Sequence, residues 1–161
     1  MEVLVRLAHP LDASQMAELL NDIIAIGGTT ALTGAVEVES MRSKFREPRS
    51  AWHVAEDNEG AIPGFQYIAT ADYLPADAAE IATFAKAGQQ GLGIGSKLFE
   101  ATRRAAIELG YTWINANIRA DNVGGLAYYQ SRGFEDYSRI NGYIMDDGTV
   151  VDKILKRYDL R

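Results

Sequence analysis

The sequence predicts an α/β (α+β) domain in which a mixed central sheet of about seven strands is flanked by about four helices. Two patterns predict it: short β-rich runs interleave with segments of helical period along the whole chain, and glycine-rich turns mark the changes of period. Size agrees, since 161 residues with 47% apolar and 24% charged side chains make one domain, residues 1–161, able to bury its own core.

Residues 2–8 read as the first strand, with Val3 and Val5 alternating against Leu4 and Arg6. Asp12 is placed to cap the helix that follows, with Gln15 three residues on in a capping-box spacing, and Met16, Leu19, Leu20, Ile23 and Ile24 share one face. Gly27 and Gly28 end that helix, and a short second helix is expected near residues 38–45. Residues 51–55 and 62–73 form a hairpin about a polar turn at 57–60. A fourth strand over 80–85 leads into a glycine turn and a long helix. Strand 112–118, short helix 122–131 and strands 134–140 and 149–158 complete the chain. There is no internal repeat and no low-complexity segment.

Composition excludes several chemistries. The chain has no cysteine, which removes disulfides, thiolate zinc sites and acyl-cysteine intermediates. Its only histidines, His9 and His53, are far apart in sequence, so no metal is implied. A net charge of −6 weighs against nucleic acid as a partner, because that binding rests on clustered Lys and Arg. No stretch approaches the roughly 20 apolar residues that span a bilayer, and the start has no signal-peptide pattern. The expectation is a soluble, cytoplasmic protein with no membrane partner.

The most informative stretch is GQQGLGIGSKLFEATRRAAIELG, residues 88–110. A strand that enters a helix through a glycine-rich turn exposes unpaired backbone N–H groups at the positive end of the helix dipole, a site for phosphate. The P-loop and the dinucleotide fingerprint both need a glycine where Ser96 stands. What does fit is Gln90-Gly91-Leu92-Gly93-Ile94-Gly95, a Q/R-x-x-G-x-G/A spacing. About 30 residues later, DNVGGLAYYQSRGFEDY carries an N-x6-Y-x3-G-F element through Asn122, Tyr129, Gly133 and Phe134.

Together, in this order and separation, the two patterns resemble those of the GNAT superfamily of N-acetyltransferases. The element order β-α-α-β-β-β-α-β-α-β-β is similar to that family's over essentially the whole chain. TTALTG after the first helix and the final GYIMDDGTVVDKILKRYDL look like the phosphinothricin acetyltransferase-like branch.

The resemblance implies a splay between strands 4 and 5 and acetyl-CoA (coenzyme A) as cosubstrate. It implies pyrophosphate contacts from Gln90, Gly91, Leu92, Gly93, Ile94, Gly95 and Ser96, edge N–H groups near Phe84 and Ala85 for the pantetheine and the thioester oxygen, and a coenzyme contact from Asn122. Gln90 in place of the commoner arginine removes one positive charge, which Lys86 and Lys97 are placed to restore.

Transfer to an amine needs a proton for the departing sulfur. Tyr129 suits this: a phenol of ordinary pKa ~10 can protonate a thiolate whose conjugate acid lies near ~8.5. An alkylamine is mostly protonated at neutral pH, so a base helps, and Glu80 at the entrance of the fourth strand is the candidate. Alternative readings of these residues are bland: Tyr129 as a packing aromatic, Glu80 as a solvated carboxylate, Asn122 as a helix cap, and His53 as an exposed or satisfied sheet histidine. The acceptor side is expected from residues 29–38, Tyr67, Tyr73 and residues 141–147.

The expected function is transfer of an acetyl group to the primary amine of a small molecule. A protein lysine or N-terminal acetyltransferase and a non-catalytic acyl-CoA-binding module are the alternatives. A homodimer through the last strand is a further expectation.

Overall fold

The computed structural model describes residues 2–88 and 93–160. A seven-stranded sheet in the order β1-β2-β3-β4-β5-β7-β6 is built from β1 (Val3–Leu7), β2 (Ala51–Asp57), β3 (Gly64–Ala69), β4 (Ala78–Ala85), β5 (Trp113–Arg119), β6 (Glu135–Ile144) and β7 (Val150–Asp159). All neighbours pair antiparallel except β4 and β5, which run parallel. Helices α1 (Ala13–Ile26), α2 (Val38–Lys44), α3 (Ile94–Glu108) and α4 (Val123–Ser131) cover the faces.

The two-residue period of each strand divides the core. One apolar layer joins Trp52, Val54, Phe65 and Phe84 to Met16, Leu19 and Leu20 of α1 and Met41 of α2. The other joins Ile68, Ile81, Ile114 and Ala116 to Phe99 and Ala106 of α3 and to Tyr129 and Phe134 at the end of α4. The helical face foreseen for α1 is therefore packed, and α1 and α3 are held by different sides of the same sheet.

The feature that makes a site is the incomplete pairing of β4 and β5. Their register runs from Ala78–Trp113 to Ile81–Ala116 and stops there. Beyond it β4 continues on β3 as far as Ala85, and β5 continues on β7 as far as Arg119. The two middle strands thus part, as expected, and leave facing edges without a ladder partner.

Three local expectations are corrected. Strand β3 is shorter than 62–73, because Pro63 lacks the N–H a ladder needs and residues 71–78 turn on Leu74 N to Ala71 O and Ala78 N to Pro75 O bonds. Asp12 makes no side-chain cap to α1. Its carboxylate is instead held by the Arg6 guanidinium at 2.7 and 3.0 Å and by His9 N at 2.7 Å, while Gln15 reaches across to Gly60 O and Ile62 N. Strand β6 extends past residue 140 to Ile144, its register shifting between Ile140 and Tyr143.

Candidate active site

A cleft of about 820 Å³ opens where β4 and β5 part. Its walls include Thr83, Phe84 and Ala85 of β4, Ile94 and Gly95 at the start of α3, and Asn122, Tyr128 and Tyr129 around α4, with Thr29 and Thr30 of the loop after α1 across from them. The structure therefore brings Phe84, Ala85, Ile94, Gly95, Asn122 and Tyr129 to one cavity. Gln90, Gly91 and Leu92 lie outside the described residues.

Gly93 is the N-cap of α3 and takes φ +77°, a left-handed conformation that glycine adopts without strain. Among the described residues no side chain caps this helix, and its first N–H groups stand at the positive end of the dipole, where an anion is favoured. Gly95 is glycine for a different reason from the close approach of phosphate: a β-carbon there would fall 2.5 Å from Tyr128 Cε1. Ser96 stands off the cavity wall and accepts a bond from Arg132 Nη1 at 2.9 Å. Arg132 is thus a cation beside the first turn of α3 that the sequence reading missed, and Lys97 points toward Val3 O at 3.5 Å.

Lys86 N donates to Pro63 O at 2.7 Å, and the alternation of an antiparallel ladder then directs the Phe84 N–H to β3 and the Thr83 and Ala85 N–H groups to the opposite edge. Those last two face the gap. Asn122 caps α4, its Oδ1 accepting from Gly125 N at 2.9 Å, while its Nδ2 donates to Thr29 O at 3.0 Å. Arg119 Nη1 reaches Thr30 O at 3.0 Å, so the loop after α1 is tied to the C-terminal half across the gap.

Tyr129 is 6% exposed and lines the cleft, its hydroxyl 2.7 Å from Thr83 Oγ1. Burial drives its phenol well above the ordinary range, and the bond to Thr83 acts in the opposite direction. The neighbouring Tyr128 is pushed up to about 12, again by burial. Its hydroxyl donates to Gly95 O at 2.7 Å and accepts from Gln66 Nε2 at 2.9 Å, which binds α4 to the first turn of α3.

Glu80 is not on the wall of this cleft. It accepts a hydrogen bond from the Tyr73 hydroxyl, and Tyr73 also receives Asn115 Nδ2 at 3.0 Å and Asn117 Nδ2 at 3.2 Å. Tyr137 in turn donates to Asn115 Oδ1. Burial raises the Glu80 carboxyl, opposed by the Tyr73 hydroxyl and the charge of Lys153. Of the other acceptor-side candidates, Tyr67 is stacked on Trp52 with centroids 4.0 Å apart. His53 is neither exposed nor satisfied: it is buried opposite Gln66, its Nδ1 has no partner among the described residues, and burial favours the neutral ring.

Thr83, Gln66, Tyr128 and Asn115 were not identified from sequence. A signal existed for Gln66, a lone amide inside the apolar strand GFQYIA. No group of three or more His, Cys, Asp or Glu residues suited to a metal occurs among the described residues. Nor is any described helix long and apolar enough to cross a membrane.

A mixed sheet parting over a helix N-terminus and a buried phenol defines an acyltransferase of the N-acetyltransferase type. Residues 48–136 match the acetyltransferase (GNAT) domain, and the chain belongs to that family. It is 30% identical over 98% of its length to YwnH of Bacillus subtilis (strain 168), a protein provisionally named a phosphinothricin acetyltransferase, of which 94% is covered. An N-acetyltransferase from Staphylococcus aureus Mu50 superposes with a TM-score of 0.89 over 100% of both chains at 20% identity. The phosphinothricin acetyltransferase of Sinorhizobium meliloti, solved in complex with acetyl-CoA, superposes with a TM-score of 0.88 at 21% identity, covering 99% of this chain and 89% of that one.

Proposed function

We propose that this protein transfers an acetyl group from acetyl-CoA directly to the primary amine of a small molecule, with Tyr129 as proton donor. The observation that carries the reading is the position of Tyr129, a buried phenol on the wall of the cleft that also contains the start of α3. The Bacillus subtilis relative's provisional name and the Sinorhizobium meliloti protein's bound acetyl-CoA support the same substrate pair.

Acetyl-CoA supplies the acyl carbon and the leaving thiolate. The N–H groups of Ile94, Gly95 and Ser96 at the dipole's positive end suit a diphosphate, with Gln90, Gly91 and Leu92 assigned to the same role from their motif. Thr83 and Ala85 N–H groups at the parted edge of β4 suit the amides and the carbonyl oxygen of an extended pantetheine arm. Tyr129 Oη gives its proton to the departing sulfur. Glu80 is assigned as the base that takes a proton from the acceptor amine, directly or through water. Its burial-raised carboxyl is the better proton acceptor for that change.

The last strand, β7, lies between β5 and β6 and has no free edge for the dimer expected there, so homodimerisation is proposed instead through β6, an edge strand whose Tyr137, Tyr143 and Ile144 are exposed, with sedimentation velocity as its check. The function is tested by thermal unfolding with acetyl-CoA, NAD and ATP in parallel, followed by free-thiol release across a panel of small amines. A shift with acetyl-CoA alone, and loss of thiol release in Tyr129→Phe, are expected. No acetyl-CoA shift, or an unimpaired Tyr129→Phe, would overturn the reading.

A further inference from the structure

The hydrogen bonds behind Tyr129 have a direction that can be worked out from one fixed end. The Gly95 carbonyl can only accept, so the Tyr128 hydroxyl, 2.7 Å away, donates to it. That uses Tyr128's single hydrogen. The Gln66 group 2.9 Å from the Tyr128 oxygen must then be a donor, which sets the Gln66 amide with Nε2 toward the hydroxyls. Its second hydrogen goes to Thr83 Oγ1, also at 2.9 Å.

Thr83 now accepts from Gln66 and still has one hydrogen. Tyr129 Oη lies 2.7 Å from Thr83 Oγ1, a contact in which either oxygen can donate. With one acceptor site of Thr83 taken by Gln66, Thr83 is assigned as the donor and Tyr129 as the acceptor. With its oxygen already receiving a hydrogen bond, Tyr129 has its own hydrogen left to aim into the cleft. The arrangement is held at a cost, because Gln66 is 0% exposed and its Oε1 is buried with no partner among the described residues. An amide oriented to satisfy its own oxygen would reverse the chain.

We infer that Thr83 and Gln66 are positioning residues that point the Tyr129 hydroxyl proton at the leaving sulfur and hold the phenolate left behind. This rests on Tyr129 being the proton donor. In the transfer, the acyl carbon bonds to the amine nitrogen as its bond to sulfur breaks. The sulfur takes the Tyr129 proton, and the electron pair of that O–H bond stays on Oη, where the Thr83 hydroxyl donates to it. The proton shed by the amine nitrogen leaves to the base and solvent, and solvent returns one to Oη, so the protein ends as it began. Neither side chain is assigned a contact with the acyl group; the part given to Thr83 in binding the pantetheine arm is its backbone N–H, which Thr83→Val keeps. Their effect is on the acidity and direction of one hydroxyl, and a hydrogen bond to a group that becomes charged is the kind that changes most across the step.

The test compares Thr83→Val, Thr83→Ser, Gln66→Met and Tyr129→Phe. Acetyl-CoA affinity is read by calorimetry and folding by thermal unfolding, both independent of turnover. Thr83→Val is expected to lose roughly 10- to 100-fold in kcat, the effect of one charge-assisted bond, with acetyl-CoA Kd and amine KM within about twofold of wild type. Thr83→Ser keeps the donor and is expected to stay within a few-fold. Gln66→Met, which removes the amide that orders both hydroxyls, is expected to fall between them and serves as the second variant should Thr83→Val unfold. Placing 3,5-difluorotyrosine, a more acidic phenol, at position 129 is expected to recover rate in the Thr83→Val background more than in wild type.

A Thr83→Val enzyme with wild-type kcat beside an inactive Tyr129→Phe overturns the inference and leaves the function standing. So does a kcat loss that the more acidic phenol does not relieve. A fully active Tyr129→Phe overturns the assignment of Tyr129 itself.

Discussion

The ring of Tyr128 stands where a side chain at Gly95 would be: a β-carbon on Gly95 falls 2.5 Å from Tyr128 Cε1, and the Tyr128 hydroxyl donates to the Gly95 carbonyl at 2.7 Å. This contact fixes α4 against the first turn of α3. Gly95→Ala is expected to cost about 1–3 kcal/mol through overpacking and to weaken acetyl-CoA binding as the first turn shifts. Chemical denaturation and calorimetry measure the two effects. Combining it with Tyr128→Leu is expected to cost less than the sum of the single changes, because the two residues share one contact.

Asn122 has two separable jobs, an acceptor for Gly125 N and a donor to Thr29 O. Asn122→Ala is expected to lose about 1–2 kcal/mol of stability with the cap. Asn122→Asp keeps the acceptor and loses the donor. It is expected to unfold near the wild-type temperature while the amides of residues 29–30 exchange faster with deuterium, measured by mass spectrometry.

Asp12 carries a pH dependence of known sign. The Arg6 guanidinium, bonded to it at 2.7 and 3.0 Å, is the main cause holding its carboxyl below the ordinary range, with help from His9 N. A depressed carboxyl stabilises the fold above its unfolded pKa of about 3.9, and that stability is lost as pH falls through the folded value. Asp12→Asn is expected to lower stability by about 1–2 kcal/mol at neutral pH, Arg6 being partly exposed, and to flatten the acid limb below about pH 4. Urea midpoints from pH 3 to 7 check it.

Glu80 runs the other way. Burial raises its carboxyl, so its ionisation opposes folding at neutral pH, and its favourable contribution is present at low pH and lost as pH rises through the folded pKa. Glu80→Gln is expected to leave the melting temperature at pH 7 unchanged or higher. As the assigned base it is expected to lose roughly 100-fold or more in kcat/KM together with the acid limb of the rate profile.

The parts of this site readable from sequence were those with a fixed spacing. Gly93 before an amphipathic helix and Asn122 at a helix cap seven residues ahead of Tyr129 mark backbone geometries that few residues satisfy, and Gly95 marks a close approach of Tyr128, so they announce themselves. Thr83 and Gln66 carry no such mark. Each is one polar residue in a strand, and only the register Gln66–Thr83 across β3 and β4 makes them neighbours. Asp12 shows the opposite failure, a strong local capping pattern overridden by a partner six residues earlier in the chain. The strand ends went astray where side-chain chemistry acts through the backbone, as at Pro63. The gap between β4 and β5 followed from resemblance alone, because nothing in either strand's composition says where pairing stops.

That gap has a mechanical side. Strands β1 to β4 and strands β5, β7 and β6 are joined through the short ladder at residues 78–81 and 113–116, and above it by the tethers from Arg119 and Asn122 to the loop after α1. The sheet is in effect two leaves on a common hinge, and any molecule wedged between them also braces them. Occupancy is therefore expected to slow amide exchange in both leaves at once, including in β1 and β6 at the far margins, where no ligand atom reaches.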